Sequence, residues 1–150
     1  MTMLSEEMRR IIAAYPLGFV ASLNADGTPN LSPKGTFIVM GEDRLAFGHI
    51  RSPRTIANLR RNPVLEVCFL DVLARKAVKV RGEASVTERG SPGAERLDKA
   101  FASWGEYAPL IKAYVEVAVR SAALILSPAY DLGHDEAGLR RDYKAKFAAL

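Results

Sequence analysis

The chain has little with which to build metal or thiol chemistry. One cysteine, Cys68, excludes an intramolecular disulfide and a metal site made of thiolates. Its apolar strand context reads as a buried small hydrophobe. Two histidines, His49 and His134, stand far apart with no carboxylate pattern around either, so no metal-ligand set is expected. No apolar run approaches the roughly 18 residues that cross a bilayer. The first ten residues place acids where a secretory signal would be apolar. A cytoplasmic protein without a membrane segment is the expectation. Neither sign of charge dominates: Lys and Arg number 21 against 17 Asp and Glu, a net +4. That excess does not by itself specify a partner, and the basic segments lack the interleaved aromatics of a nucleic-acid platform. No repeat, linker or low-complexity stretch breaks the chain.

What is present suits one folded domain over residues 1–150, with 49 % hydrophobic and 25 % charged residues. Residues 5–14 read as a helix capped by Ser5, with Met8, Ile11, Ile12 and Tyr15 on one face. Strands are expected at 17–23, 28–40, 44–49, 64–70, 77–86 and 114–126. Asp26-Gly27 marks a hairpin between the first two, and Ser32-Pro33 interrupts the second. Ser52 as N-cap, Pro53 at the first helical position and Pro63 as a stop delimit a helix. Ser91-Pro92 opens another, carrying Leu97, Ala100, Phe101 and Trp104 on one side. A last helix over 135–149 shows a stripe of Leu139, Tyr143, Phe147 and Leu150. Short turns between early strands and the absence of regular βαβ alternation predict a mainly antiparallel α+β fold: a six-stranded barrel with peripheral helices.

Two segments stand out chemically. In His49-Ile-Arg-Ser-Pro-Arg-Thr55 a strand runs straight into a helix start, whose free N–H groups and dipole favour an anion. Arg51 and Arg54 add cations, and Ser52 and Thr55 add hydroxyls, a set suited to a phosphate monoester. A capped surface helix with solvated arginines is the plainer reading. In Asn30-Leu-Ser-Pro-Lys-Gly-Thr36, Pro33 and Gly35 suggest a bulge where a flat ring could approach the backbone, with Lys34 near its electron-rich edge. A barrel corner with an exposed lysine is the alternative. No side chain stands out as a general base.

Together, Gly18-Phe-Val-Ala-Ser22, Asp26-Gly-Thr-Pro-Asn30, Ser32-Pro-Lys34, Phe47-Gly-His49 and Arg54-Thr-Ile-Ala-Asn-Leu59 before Asn62-Pro63 resemble the pyridoxamine 5′-phosphate oxidase-like family of FMN-binding split β-barrels. The resemblance is good over 5–90, fades over 91–113 and returns weakly at 114–126. It implies a homodimer with FMN at the subunit interface, the phosphate at 51–55 and the ring along 32–36 beside Gly48 and His49. It further implies contacts from Lys79 and Arg81, and a cover over the ring from Trp104 or Tyr107. His49 is expected to act mainly through its backbone. The expected activity is FMN-dependent oxidoreduction of a small organic substrate, with NADH or NADPH as candidate donor. The Arg-x-His element of true pyridoxamine phosphate oxidases is missing, and Ala77 stands where those enzymes place a glutamine, which argues against that particular substrate. A flavin carrier, store or sensor, or a deazaflavin- or haem-binding member of the fold, is the alternative.

Overall fold

A computed structural model describes residues 3–150. Helix α1 (Glu6–Ala14) starts where Ser5 Oγ accepts the Met8 N–H at 3.2 Å and Glu6 and Glu7 meet the positive dipole end. It buries Met8, Ile11 and Ile12. Strands β1 (Gly18–Leu23) and β2 (Pro29–Lys34) form the expected hairpin. Gly27 takes φ 83°, and Asp26 Oδ1 accepts the Thr28 N–H at 3.0 Å.

The long second strand of the sequence reading is in fact two. It breaks at Gly35-Thr36, and β3 (Phe37–Val39) leaves β2 to pair with β4 (Arg44–His49). Pro33 stays inside β2 because β2 is an edge strand, where a missing N–H costs no ladder bond. The expected antiparallel pairing of the early strands holds, with β2 and β3 at opposite edges of the sheet. Helix α2 (Pro53–Arg61), β5 (Val64–Asp71) and the long pair β6 (Lys76–Glu88) and β7 (Ala113–Leu126) complete the sheet. Its order is β2-β1-β5-β6-β7-β4-β3, antiparallel throughout.

That order fixes the shape. Laid flat, seven strands would hold their edges roughly 29 Å apart. The two edges here are joined by Gly35 and Thr36 alone, a reach of roughly 11 Å between flanking Cα atoms. The sheet must curl until β2 and β3 approach. Inside the curl lie Val20, Phe37, Leu45, Phe47, Val67, Phe69, Val80 and Val117, with α1 and α2 adding Ile12 and Leu59. Phe69 and Phe47 pack against Phe37 with ring centroids 4.7 and 5.1 Å away.

A second cluster sits outside β4 and β7, under α3 (Glu95–Phe101) and the 3-10 segment at 102–110. Leu97, Phe101, Ile111 and Tyr114 fill it, and Glu116 takes a two-pronged grip from Arg96 at 2.9 and 2.8 Å. The helix expected from Ser91-Pro92 begins only at Glu95, after a turn in which Gly93 takes φ 86°. Trp104 consequently falls in the 3-10 segment. Helix α4 (Glu136–Ala148) is capped by Asp135, but of its expected stripe only Leu139 is buried. Phe147 is 40 % and Leu150 99 % exposed. Ionic contacts hold α4 instead, chiefly Arg140 with Asp71. Cys68 is half-buried on the outer face of the sheet rather than in the core. Among the described residues no helix is long and apolar enough to cross a membrane.

Candidate functional site

The seam of the curl holds a cleft. A groove of about 420 Å³ is lined by Ser32, Pro33, Lys34, Gly35 and Thr36 on one side and by Gly48, Arg51 and Ser52 on the other. The hydroxyl of Thr36 ties these sides together. Thr36 Oγ1 accepts the Gly48 N–H and donates to the Gly48 carbonyl, both at 3.0 Å. It replaces the rung that would continue the β3–β4 ladder past Phe37–Phe47. Gly48 has a separate packing reason: a Cβ there would sit 2.6 Å from Ile111 Cδ1. A Cβ on Gly35 would meet no atom within 4 Å, so the backbone presents an open face to the groove.

The groove is cationic. Lys34 is buried, and its Nζ donates to Ser32 Oγ and, at 3.4 Å, to the Pro33 carbonyl, with no carboxylate partner among the described residues. Burial pushes its pKa down to about 8. Arg51 is exposed at the rim, and no acidic residue lines the groove. A small anion or an electron-rich ring edge is the complement to such a site.

Segment 49–55 differs locally from expectation. Ser52 occupies the N-cap of α2, yet its side chain makes no cap hydrogen bond. It faces His49 instead: Nδ1 accepts the Ser52 N–H at 3.2 Å and lies 3.1 Å from Ser52 Oγ. The His49 ring is thus engaged, not only its backbone, although its carbonyl also accepts the Lys112 N–H. Burial, and then the charges of Lys112, Lys34 and Arg60, hold the imidazole below its usual pKa. Thr55 is buried, and its hydroxyl accepts from Asn30 Nδ2 at 3.4 Å across to β2. Arg54 borders a neighbouring cleft with Asp26, Asn58 and Arg61. Asn58 locks α2 onto the first hairpin through Ser22 Oγ at 3.1 Å and Asn24 Oδ1 at 3.0 Å. That anchor carries no sequence signal beyond a polar residue on a helix.

The remaining expected residues lie elsewhere in the chain. Lys79 and Arg81 project from the outer face of β6, where Arg81 pairs with Glu66 at 2.7 Å. Trp104 borders a separate groove with Pro16, Ile38 and Val39, its Nε1 buried without a partner.

A curled antiparallel sheet closed through a two-residue link is a split barrel, and the cationic groove lies on its split. The chain belongs to the pyridoxamine 5′-phosphate oxidase family, whose profile matches residues 4–129. Solved structures share the fold. HupZ from Group A Streptococcus aligns at 22 % identity, covering 83 % of this chain and 96 % of its own, with TM-score 0.69. An FMN-binding protein from Syntrophomonas wolfei subsp. wolfei aligns at 16 % identity over 83 % of this chain and 87 % of its own, with TM-score 0.68. An F420 reductase aligns at 15 % identity over 71 % of this chain and 88 % of its own, with TM-score 0.55. No curated protein matches by sequence.

Proposed function

We propose that this protein binds FMN in the seam groove and works as a flavin-dependent oxidoreductase on a small organic molecule. One observation carries the reading: a buried lysine, without a counter-ion among the described residues, faces the same groove as Arg51 and the uncapped helix start at Ser52. The phosphate would lie beside Ser52 at Arg51, Arg54 and Thr55, where first-turn N–H groups of α2 have no side-chain acceptor. The ring would lie along Ser32, Pro33, Lys34, Gly35 and Thr36, past Gly48, with its polar edge toward Lys34. FMN supplies hydride or electron transfer when bound. The chain's own groups bind and orient, and Lys34 places a donor where negative charge collects. No groove residue is a convincing general base, which suits a reaction whose proton steps the protein does not drive. The family membership and the FMN-binding protein of the same fold support the choice of cofactor.

A homodimer is part of this proposal. Phe19, Leu23, Leu31, Val64, Leu70 and Ile125 are exposed on the outside of the sheet. Register places Pro33, Phe19, Cys68, Lys79 and Ala123 in one cross-strand row on that face. The apolar face therefore runs from the groove's own Pro33 to Lys79. A second copy seated there would complete the site, bringing Lys79 and Arg81 to an interface, and Trp104 as a ring cover is assigned to the same assembly. A deazaflavin in place of FMN is the second reading, favoured by the F420 reductase of the same fold.

The test is the visible spectrum and mass of whatever co-purifies, followed by titration of the stripped protein with FMN and riboflavin. FMN bound at least tenfold more tightly than riboflavin is expected, and Arg51→Ala with Arg54→Ala should erase that margin while sparing riboflavin. Equal affinities in the unmodified protein would remove the phosphate assignment. Reduction by NADH or NADPH with a panel of acceptors then separates an enzyme from a flavin carrier.

A further inference from the structure

The His49 imidazole has a geometry that the phosphate reading leaves unexplained. A backbone N–H can only donate, so the 3.2 Å contact from Ser52 requires a bare Nδ1 and places the ring proton on Nε2. The side chain is buried. The charged groups acting on the ring come from three elements and are all cations: Lys34 ending β2, Arg60 in α2 and Lys112 leading into β7. Arg60 is itself paired with Glu88. These surroundings favour the neutral ring.

A serine at an N-cap ordinarily turns its oxygen onto the N–H of the second or third helical residue, here Arg54 or Thr55. Those are the donors a phosphate would use. Ser52 does not do this: its hydroxyl is held at His49, and its backbone (φ −135°, ψ 62°) is neither helical nor extended. We infer that His49 is a positioning residue whose unprotonated Nδ1 draws Ser52 off the helix start, so that α2 cannot cap itself and stays open to a phosphate monoester. The inference rests on the phosphate reading above and adds a residue that acts only through another. Without the imidazole acceptor, the Ser52 hydroxyl becomes an internal competitor for the anion site.

Two variants separate this role from simple packing. In His49→Asn the amide oxygen falls near the place of Nδ1 and keeps the acceptor. In His49→Gln the amide falls near Nε2 and leaves the Nδ1 place empty. Affinities for FMN, riboflavin and inorganic phosphate are measured at pH 7.5, so that all three proteins meet the same ligand charge. His49→Asn should keep the FMN-to-riboflavin ratio within about threefold of the unmodified protein. His49→Gln should lower it about fivefold or more, the size of one helix cap, with riboflavin affinity unchanged. Nitrogen-15 spectra of the unmodified protein should show a neutral ring protonated at Nε2, with or without flavin. A ring protonated at Nδ1, or Asn and Gln variants that lose the ratio alike, overturns the role of His49 while leaving the phosphate site standing. An unmodified protein indifferent to the phosphate overturns both.

Discussion

Arg140, in the C-terminal helix, donates to the buried carboxylate of Asp71 at 2.7 Å. The same guanidinium reaches Tyr15 Oη at 3.0 Å, so one side chain joins α4, the end of β5 and the residue after α1. Asp71 also accepts the N–H groups of Ala74 and Leu73. Burial alone would raise its pKa, but the Ala74 N–H, Arg140 and the Leu73 N–H together hold it below the usual carboxylate value. A carboxyl lowered in the folded state stabilises above its unfolded pKa, near 3.9, and loses that contribution as pH falls through the folded value. Arg140→Ala should therefore cost about 1–3 kcal/mol at pH 7. The cost should shrink as pH falls below about 4. Urea midpoints of both proteins between pH 7 and pH 3 measure it.

Thr36 closes the seam with two bonds to one residue. Thr36→Val keeps the shape and strands both the N–H and the carbonyl of Gly48. A loss of about 1–3 kcal/mol is expected, together with weaker flavin binding, because both walls of the groove depend on that tie. Thr36→Ser keeps the hydroxyl and should retain most of both. Thermal unfolding with and without FMN distinguishes the two variants.

Burial of Lys34 costs the fold stability. With its pKa near 8 against an ordinary 10.5, the unfolded chain holds more protons between those values, and this group makes stability rise with pH across that window. Below it the penalty is fully present. Lys34→Met should stabilise the flavin-free protein by about 1–3 kcal/mol at pH 7 and weaken FMN binding at least tenfold. FMN binding near pH 8.5 should take up protons, since an anionic ligand favours charged Lys34. Calorimetry in two buffers of different ionisation enthalpy reads the uptake directly.

Charging the outer face should break the proposed dimer. Phe19→Asp with Leu31→Asp alters only residues that are 42 % and 67 % exposed in the protomer, so the fold should persist. Sedimentation should show monomers, and FMN affinity should fall if a second copy completes the site. A monomeric unmodified protein with full flavin affinity would remove the dimer from the proposal.

Much of this was readable where local chemistry and burial agree. Ser5, Asp26-Gly27, Pro53 and Pro63 mark boundaries that the structure keeps. The strand break is harder, because only the sheet order shows that β2 is an edge and can hold Pro33, so that Gly35-Thr36 must turn the corner. The site segments 30–36 and 49–55 could be picked out singly by their odd residues. Their meeting across the seam depends on the Thr36–Gly48 tie, which no spacing rule encodes. Ser52 shows a limit of another kind: the hydroxyl of a good cap residue faces a histidine three positions earlier and not the helix start. The apolar stripe of α4 has a helical period without a core to meet, whereas the polar Arg140 does the anchoring.

Because two residues join the first and last strands of the sheet, the proposed ligand groove is also the place where the cylinder fastens. Any molecule that fills this cleft is a clasp as well as a cargo, and binding tightens the whole wall by mass action. The empty protein should loosen first along Phe37–Val39, whose three rungs to β4 are the shortest pairing in the sheet. Backbone amides there should exchange with solvent sooner than those of β6 and β7, and flavin should slow them most.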